Sequence, residues 1–436
     1  MTIGSVQSRH KIIPFCRRKL RWINKLRMIH ASNCKNSMIV AIVLLENNKG
    51  TMMDMTISRQ KASGGASGYL TIDLGALRDN YLMLRAMAPN AITSAVVKAD
   101  AYGLGEDIVA PVLYDAGCRH FFVAHIDEGI ALRHRIAGDA DIFVLNGLQP
   151  GNEMSCAAMS LTPVINSLEQ LGQWAAHAKS LGKTLPSAIQ IDTGMSRLGM
   201  APPEIEALKA SPELLNGMKI AFVMSHLACA DEPEHTANGA QLTAMRKAAH
   251  LFPDVPVCFA NSGGIFLGTD YYNTVMRPGI ALYGGAPSSA RPNPMKPVVR
   301  LDVAVVQTRT VPADTLVGYG GTLRTTGETR LATIAAGYAD GLPRSLSNRG
   351  AAYFNGVGLP IAGRVSMDSM SLDISALPEG TLTHGSLVQI IGPDQSLEDI
   401  AQDAGTIAYE ILTGLGQRYR RTYIQPEQAV AQNEDE

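Results

Sequence analysis

The feature that most constrains this chain is a rhythm running from Tyr69 to Gly284, in which short apolar runs alternate with longer amphipathic stretches. The runs fall at 92–98, 120–125, 141–146, 161–166, 185–192, 220–226, 257–262 and 275–282. Between most of them apolar residues recur at helical spacing, as at Leu168, Leu171, Ala175 and Ala178. Eight strand-length runs alternating with helical patterns in one stretch predict a (β/α)8 TIM-like barrel, an α/β fold. An open doubly wound sheet would call for a G-x-G-x-x-G turn after its first strand, and the sequence has none there.

The ends of these runs carry a second signal. Lys98, His125, Asn146, Asn166, Asp192, His226 and Asn261 each stand at the C-terminal end of a run. In barrels that end is where active sites are built. Loop-facing strand ends are often polar simply because loops are wet, but seven in succession favour a lined mouth.

After Pro297 the pattern changes to short strands at 301–310, 329–336, 353–356, 372–374 and 386–391, broken by Gly and Pro turns. One helix is then expected, opening at Ser396 with Asp399 in capping-box spacing and closing at Gly414 or Gly416. The expected organisation is a leader at 1–66, a barrel at 67–295 and a mostly-β C-terminal domain at 296–436. The leader carries nine basic and no acidic residues between Arg9 and Lys35. Its one apolar run, 38–45, is far shorter than a membrane span. It reads as a disordered segment or an early start codon, with Met53 and Met55 as alternative starts.

Composition closes off several function classes. A length of 436 residues with 46% hydrophobic content suits two domains with large cores. A formal net charge of −1 gives no electrostatic reason to expect nucleic acid, and no segment suggests a membrane. The six cysteines are scattered with no C-x-x-C pair, so neither a disulfide framework nor a metal site is expected, and a cytoplasmic location is.

The strongest chemical signal is AVVKADAYGLG at 95–105, with Lys98 ending an apolar strand. A desolvated ammonium loses basicity, and its amine becomes a nucleophile suited to a Schiff base with a cofactor aldehyde. Taken alone, such a lysine would more often snorkel to the surface. Further motifs succeed it in order: DTGMSRLG at 192–199, SHLA at 225–228, NSG at 261–263 and RPGIALYG at 277–284. The series continues with GYG at 318–320, GYADG at 337–341 and GRVSMD at 363–368.

Together these segments resemble the alanine racemase family, over the chain from Tyr69 to the C-terminal helix. The resemblance implies a pyridoxal-phosphate (PLP) enzyme that interconverts L- and D-alanine by two bases, Lys98 and Tyr319. It implies that Lys98 bonds the cofactor, with the Ser262, Tyr102 and Tyr409 hydroxyls and the Gly279 and Ile280 N–H groups on its phosphate. Arg277 would face the pyridine nitrogen, which a guanidinium can hydrogen-bond but not readily protonate. The ring is then a weaker electron sink than one with a carboxylate partner, which disfavours transamination. His226 beside Arg277 would assist the tyrosine, because a phenol of pKa about 10 is a poor base unaided. Without the resemblance, His226 would read as a satisfied core histidine and Tyr409 as a packing residue.

Arg197 would bind the phenolic oxygen and the substrate carboxylate side, and the Met367 N–H would hold the carboxylate with Asp368 beside it. The resemblance places Met367, Asp368 and the gating Tyr338 across a homodimer interface. Departures from the family pattern are Gln190 for a common carbamylated lysine, Ser366 for a cysteine, and Asp100 and Leu104 for Asn and His. Gln190 can still hydrogen-bond Arg197 but brings no charge. A fold-related decarboxylase should lack the Tyr319 segment, and a PLP-carrier protein would stop after the barrel. A racemase of other or broader amino-acid specificity remains the alternative, as does either a cell-wall-precursor role, in D-alanine biosynthesis, or a degradative one.

Overall fold

The computed structural model describes residues 65–426. The basic leader and the acidic tail lie outside the described residues.

All eight predicted barrel runs form parallel strands. The first is split around Ser94 into Ile92–Thr93 and Ala95–Val96; the others are His120–Val123, Asp141–Val144, Leu161–Ile165, Leu185–Gln190, Met218–Met224, Val257–Cys258 and Val275–Met276. Each pairs with the next, and the last pairs with Ile92–Thr93, so the two halves of the first strand close the ring. The final run is strand only to Met276, and Ile280–Tyr283 is instead a tight 3-10 turn.

Helices connect the strands on the outside. Leu168–Leu181 shows why they form: the Ser167 hydroxyl accepts from Gln170 N at its start, and Gly182 caps its end in the left-handed region, φ 60°. Its inner face buries Leu171, Trp174 and Ala178. Trp174 is fully buried and gives its indole N–H to Pro186 O at 3.1 Å, so truncation to Ala would cost about 3–5 kcal/mol. Within the ring, Phe122, Phe143 and Phe222 pack against one another with centroids 4.7–5.9 Å apart. Phe122 and Phe143 are neighbours on adjacent strands and Phe222 comes from across the ring, so this aromatic cluster fills the barrel's interior.

The C-terminal region is mostly β, as expected. The 13-residue strand Val299–Val311 is its hub and pairs antiparallel with Gly68–Asp73, Thr329–Ile334 and Leu387–Ile391. Gly68–Asp73, inside the stretch assigned to the barrel, is therefore a strand of the second sheet. It also pairs in parallel with Arg420–Ile424.

The single expected C-terminal helix is two. Leu397–Ala404 opens on the predicted capping box, with Ser396 Oγ accepting from Asp399 N at 3.1 Å and Asp399 Oδ2 accepting from Ser396 N at 2.9 Å. Gly405, at φ 69°, ends it, and Ala408–Gly414 comes next. The helical spacing ran across this break because both short helices face the same core.

Candidate active site

Lys98 stands just after the first barrel strand and opens a stretch of unusual backbone. Ala99, Asp100, Ala101 and Tyr102 all have φ between 53° and 56°, one turn of left-handed helix. Each non-glycine residue there costs roughly 1–2 kcal/mol, so the surroundings must impose the turn. They do so through several hydrogen bonds. Ala101 N donates to Val97 O at 2.8 Å, and Asp100 Oδ1 accepts from Glu106 N at 2.7 Å. The second sheet reaches over as well, with Arg421 Nη1 donating to Gly103 O at 2.7 Å and Tyr423 Oη to Leu104 O at 2.9 Å.

The turn drives Tyr102 into the interior, where its ring stacks on Tyr283 at 4.6 Å and lies 5.9 Å from Tyr409. Tyr409 sits on the second of the two C-terminal helices and is partly exposed. The hydroxyls of Tyr102 and Tyr409 have no hydrogen-bond partner among the described residues, whereas Tyr283 Oη is committed to Val96 O.

Tyr102 meets the Ser262 and Gly279 region. Ser262 Oγ accepts from Gly279 N at 2.9 Å and from Ala281 N at 3.3 Å. The buried Ile280 N–H has no hydrogen-bond partner among the described residues. A Cβ on Gly279 would run into the Tyr102 hydroxyl. The Ser262 and Tyr102 hydroxyls and the Gly279–Ile280 backbone N–H groups thus lie together in a buried place, a donor set that suits a phosphate.

Arg277, 2% exposed, lies deeper, with its guanidinium 5.6 Å from the Phe122 ring centroid. Nη1 donates to Cys258 Sγ at 2.9 Å; Nη2 donates to Ser225 O at 2.9 Å and to His226 Nδ1 at 3.0 Å. Because arginine can only donate, His226 Nδ1 accepts, and we place its proton on Nε2. Burial, then the charges of Arg277, Arg197 and Lys98, hold His226 well below its ordinary pKa of 6.5, so it is neutral at physiological pH. Arg277 keeps two of its five N–H donors uncommitted, which suits a ring nitrogen.

Lys98 Nζ has no hydrogen bond or ion pair among the described residues. Burial is the first cause lowering its pKa, then Arg197 and Arg277, with Glu128 opposing. This is the electropositive setting expected of a nucleophilic amine.

The remaining mouth residues divide. Asn166 donates to Leu145 O and Val164 O; Asp192 Oδ1 accepts from the N–H groups of Gly194, Met195 and Ser196; Asn261 Oδ1 caps Gly264 N. These three hold loops in place. His125 and Asn146, 3.4 Å apart, line a separate cleft of about 340 Å³ with Gln149 and Asn152.

One expectation needs correction. The possible Gln190–Arg197 hydrogen bond is not formed: Gln190 is buried, whereas Arg197 is exposed and without a hydrogen bond among the described residues. Tyr319 is not joined to Lys98 within the chain. It is 72% exposed, on the turn Tyr319–Gly321 against Arg364, and no hydrogen bond or ring contact ties it to Lys98, His226 or Arg277. Its turn packs against Arg364, close in sequence to Ser366 and Met367. Tyr338 N donates to Ser366 O and Ala339 N to Met367 O, both at 3.0 Å, while Asp368 pairs with Arg418 at 2.6 Å. Tyr338 and Met367 are 43% and 53% exposed. Sequence reasoning also missed Glu128 and Arg418, whose roles depend on contacts between distant segments.

Among the described residues no helix is long and apolar enough to cross a membrane, and no group of acidic, His and Cys side chains could hold a metal.

Comparison with known proteins agrees with this fold. The alanine racemase N-terminal domain matches residues 72–287 and the alanine racemase C-terminal domain residues 298–423. A catabolic alanine racemase of Agrobacterium fabrum is 76% identical over 374 residues, covering 86% of this chain and 96% of the relative. One of Rhizobium johnstonii, also named catabolic, is 59% identical over 373 residues, covering 85% and 99%. The crystal structure of the Bartonella henselae alanine racemase, with covalently bound pyridoxal phosphate, superposes with a TM-score of 0.80 at 43% identity, covering 83% of this chain and all of that one. With a barrel closed by its split first strand and both domains matched in order, this chain belongs to the alanine racemase family.

Proposed function

We propose that this protein is a PLP-dependent enzyme that interconverts L- and D-alanine, acting as a homodimer whose two sites are each built from both chains. One observation carries the reading. The desolvated Lys98 amine, free of any ion pair among the described residues, faces Arg277 and Arg197, while Tyr319 is exposed on the C-terminal region.

Bound beside these donors, pyridoxal phosphate would supply an aldehyde that bonds amines and a conjugated ring that spreads the negative charge left when Cα loses its proton. Ser262 Oγ, the Gly279 and Ile280 N–H groups and the Tyr102 and Tyr409 hydroxyls would hold the phosphate. Arg277 would donate to the ring nitrogen without surrendering a proton, its guanidinium held by neutral His226, which accepts from Nη2. Arg197 and the partner's Met367 N–H bind the carboxylate side, with Asp368 held beside Met367 by Arg418 and Tyr338 at the entrance.

Racemisation requires a proton removed from one face of Cα and one delivered to the other. A single base would have to travel around the substrate, so two fixed bases are the economical arrangement. Lys98 Nζ serves one face, accepting from D-alanine. The partner's Tyr319 Oη serves the other, accepting from L-alanine.

The cysteines Cys118, Cys156, Cys229 and Cys258 are unpaired thiols, which supports a reducing, cytoplasmic setting. The catabolic designation of both relatives favours a degradative role over a cell-wall one. The test is to incubate purified protein with each enantiomer of a panel of amino acids, and separately to reduce it with borohydride and map the label. Alanine should be racemised fastest, with the pyridoxyl group on Lys98. A loaded protein that leaves alanine unchanged, or a label on another lysine, would overturn the reading.

A further inference from the structure

The left-handed turn after Lys98 has an anchor outside its own segment. Glu128 lies in the first turn of the helix Ile126–Arg133, which succeeds the second barrel strand. Its Oε1 accepts from Ala99 N at 2.8 Å, and its Oε2 accepts from Ala124 N at 2.6 Å and His125 N at 3.1 Å. One carboxylate therefore joins the peptide immediately after Lys98 to the end of the neighbouring strand. Ala124 and His125 would be held by the helix start whatever Lys98 did. The bond to Ala99, 29 residues away, is the one a helix cap does not require.

We propose that Glu128 is a positioning residue for the reaction: its carboxylate fixes the Lys98–Ala99 peptide so that Nζ meets the cofactor aldehyde and one face of the substrate. This rests on the assignment of Lys98 as the cofactor lysine.

The geometry explains why a carboxylate is used. All three partners are N–H donors, so the group must accept on both oxygens. A carboxamide cannot do this, because its NH2 faces at least one donor in either orientation. The left-handed turn makes the anchor consequential: four non-glycine residues in that conformation have an alternative right-handed state, and release of Ala99 removes a restraint at the residue that must stay aimed. The charges facing Lys98 are Arg197, Arg277 and Glu128, and Glu128 alone is negative. Glu106 and Asp100 lie on the same carboxylate-rich side, with Arg135 opposing them.

The test compares Glu128→Gln and Glu128→Asp with wild type, after borohydride mapping has placed the label on Lys98 in wild type. Failure of that mapping rejects the lysine assignment; the variants test Glu128 alone. The readouts are kcat and KM per folded site, and the pH dependence of PLP uptake by apoenzyme, monitored by absorbance. Glu128→Gln should lower kcat about ten- to hundredfold with KM within about twofold, since a reacting group moved by a fraction of an ångström loses rate rather than binding. It should also shift the uptake profile to lower pH, because the one anion facing Lys98 is gone. Glu128→Asp keeps the charge on a shorter arm, so its profile should return to wild type while kcat stays low. If Glu128→Gln does not fold, the Asp variant decides by the same kcat criterion. Wild-type kcat per folded site in the variant that folds, or a loss of thermal stability alone, would overturn the proposal.

Discussion

Replacing Glu106 with Gln should remove a pH dependence of stability that the fold builds in beside the active-site turn. Glu106 is 7% exposed and opens the helix Glu106–Asp115. Burial first, then the charges of Glu128, Asp100 and Asp107, raise its pKa from 4.5 to about 7, with Arg135 opposing. A carboxyl raised in the fold keeps its proton after the unfolded chain has lost it. Between 4.5 and about 7 the folded state therefore binds more protons, and stability falls as pH rises through that window. Below 4.5 both states are protonated and the full stability is present; above about 7 both are ionised and the loss is complete. From pH 5 to pH 8.5 the loss is on the order of 2–3 kcal/mol. With an unfolding entropy near 0.8 kcal/mol/K for a chain of this size, that corresponds to about 3 °C in Tm. Glu106→Gln is neutral at both pH values and escapes the penalty. The assay is thermal unfolding of both proteins at pH 5 and pH 8.5, taking the variant-minus-wild-type difference at each, so that other titrations cancel. The variant should gain about 3 °C relative to wild type on going to pH 8.5. A difference that does not change with pH would refute the assignment of a buried, proton-retaining Glu106.

Tyr319→Phe removes one exposed phenol oxygen, so folding and Lys98 labelling should survive while racemisation falls about 10² to 10⁴-fold in both directions. Exchange of the α-proton with solvent deuterium should persist for D-alanine and nearly vanish for L-alanine; equal exchange would mean one base serves both faces. Gly279→Ala places a methyl group against the Tyr102 hydroxyl, among the proposed phosphate donors. It should weaken PLP retention about ten- to hundredfold, measured by cofactor titration of apoenzyme, with the far-ultraviolet circular dichroism unchanged.

How much of the fold and site is readable from the sequence depends on the range of the interaction. The barrel strands are legible because each is a local apolar run, and Ser396 with Asp399 announces a helix start because a capping box spans four residues. The C-terminal helix reads as one because Gly405 breaks it without disturbing the spacing of buried residues on either side. Gly68–Asp73 is not separable from the barrel, since its partners Val299–Val311 and Arg420–Ile424 lie more than two hundred residues downstream. Lys98, Arg277, His226, Ser262 and Gly279 are legible through motif order, and the fold gathers them. The left-handed run at Ala99–Tyr102 carries almost no signal, because Asp100 is the one residue of the four that enters that region with any ease, and then singly. Glu128 looks like an ordinary first-turn acid. Asn166, Asp192 and Asn261 look like site residues because loop-holding and ligand-binding side chains share the same polar strand ends.

The separation of Lys98 from Tyr319 within one chain makes the central claim testable by mixing two inactive proteins. Lys98→Ala lacks one base and Tyr319→Phe the other, and each homodimer should be nearly inert. Co-denaturing and refolding them with PLP, or co-expressing them, yields mixed dimers. If each site takes Lys98 from one chain and Tyr319 from its partner, every mixed dimer has one doubly defective site and one intact site. With random pairing, alanine racemisation should recover to about a quarter of the wild-type rate per chain. If both bases came from the same chain, no mixed dimer would hold an intact site. A mixture no more active than its parents, with mixed dimers shown to be present, would contradict the shared-site account.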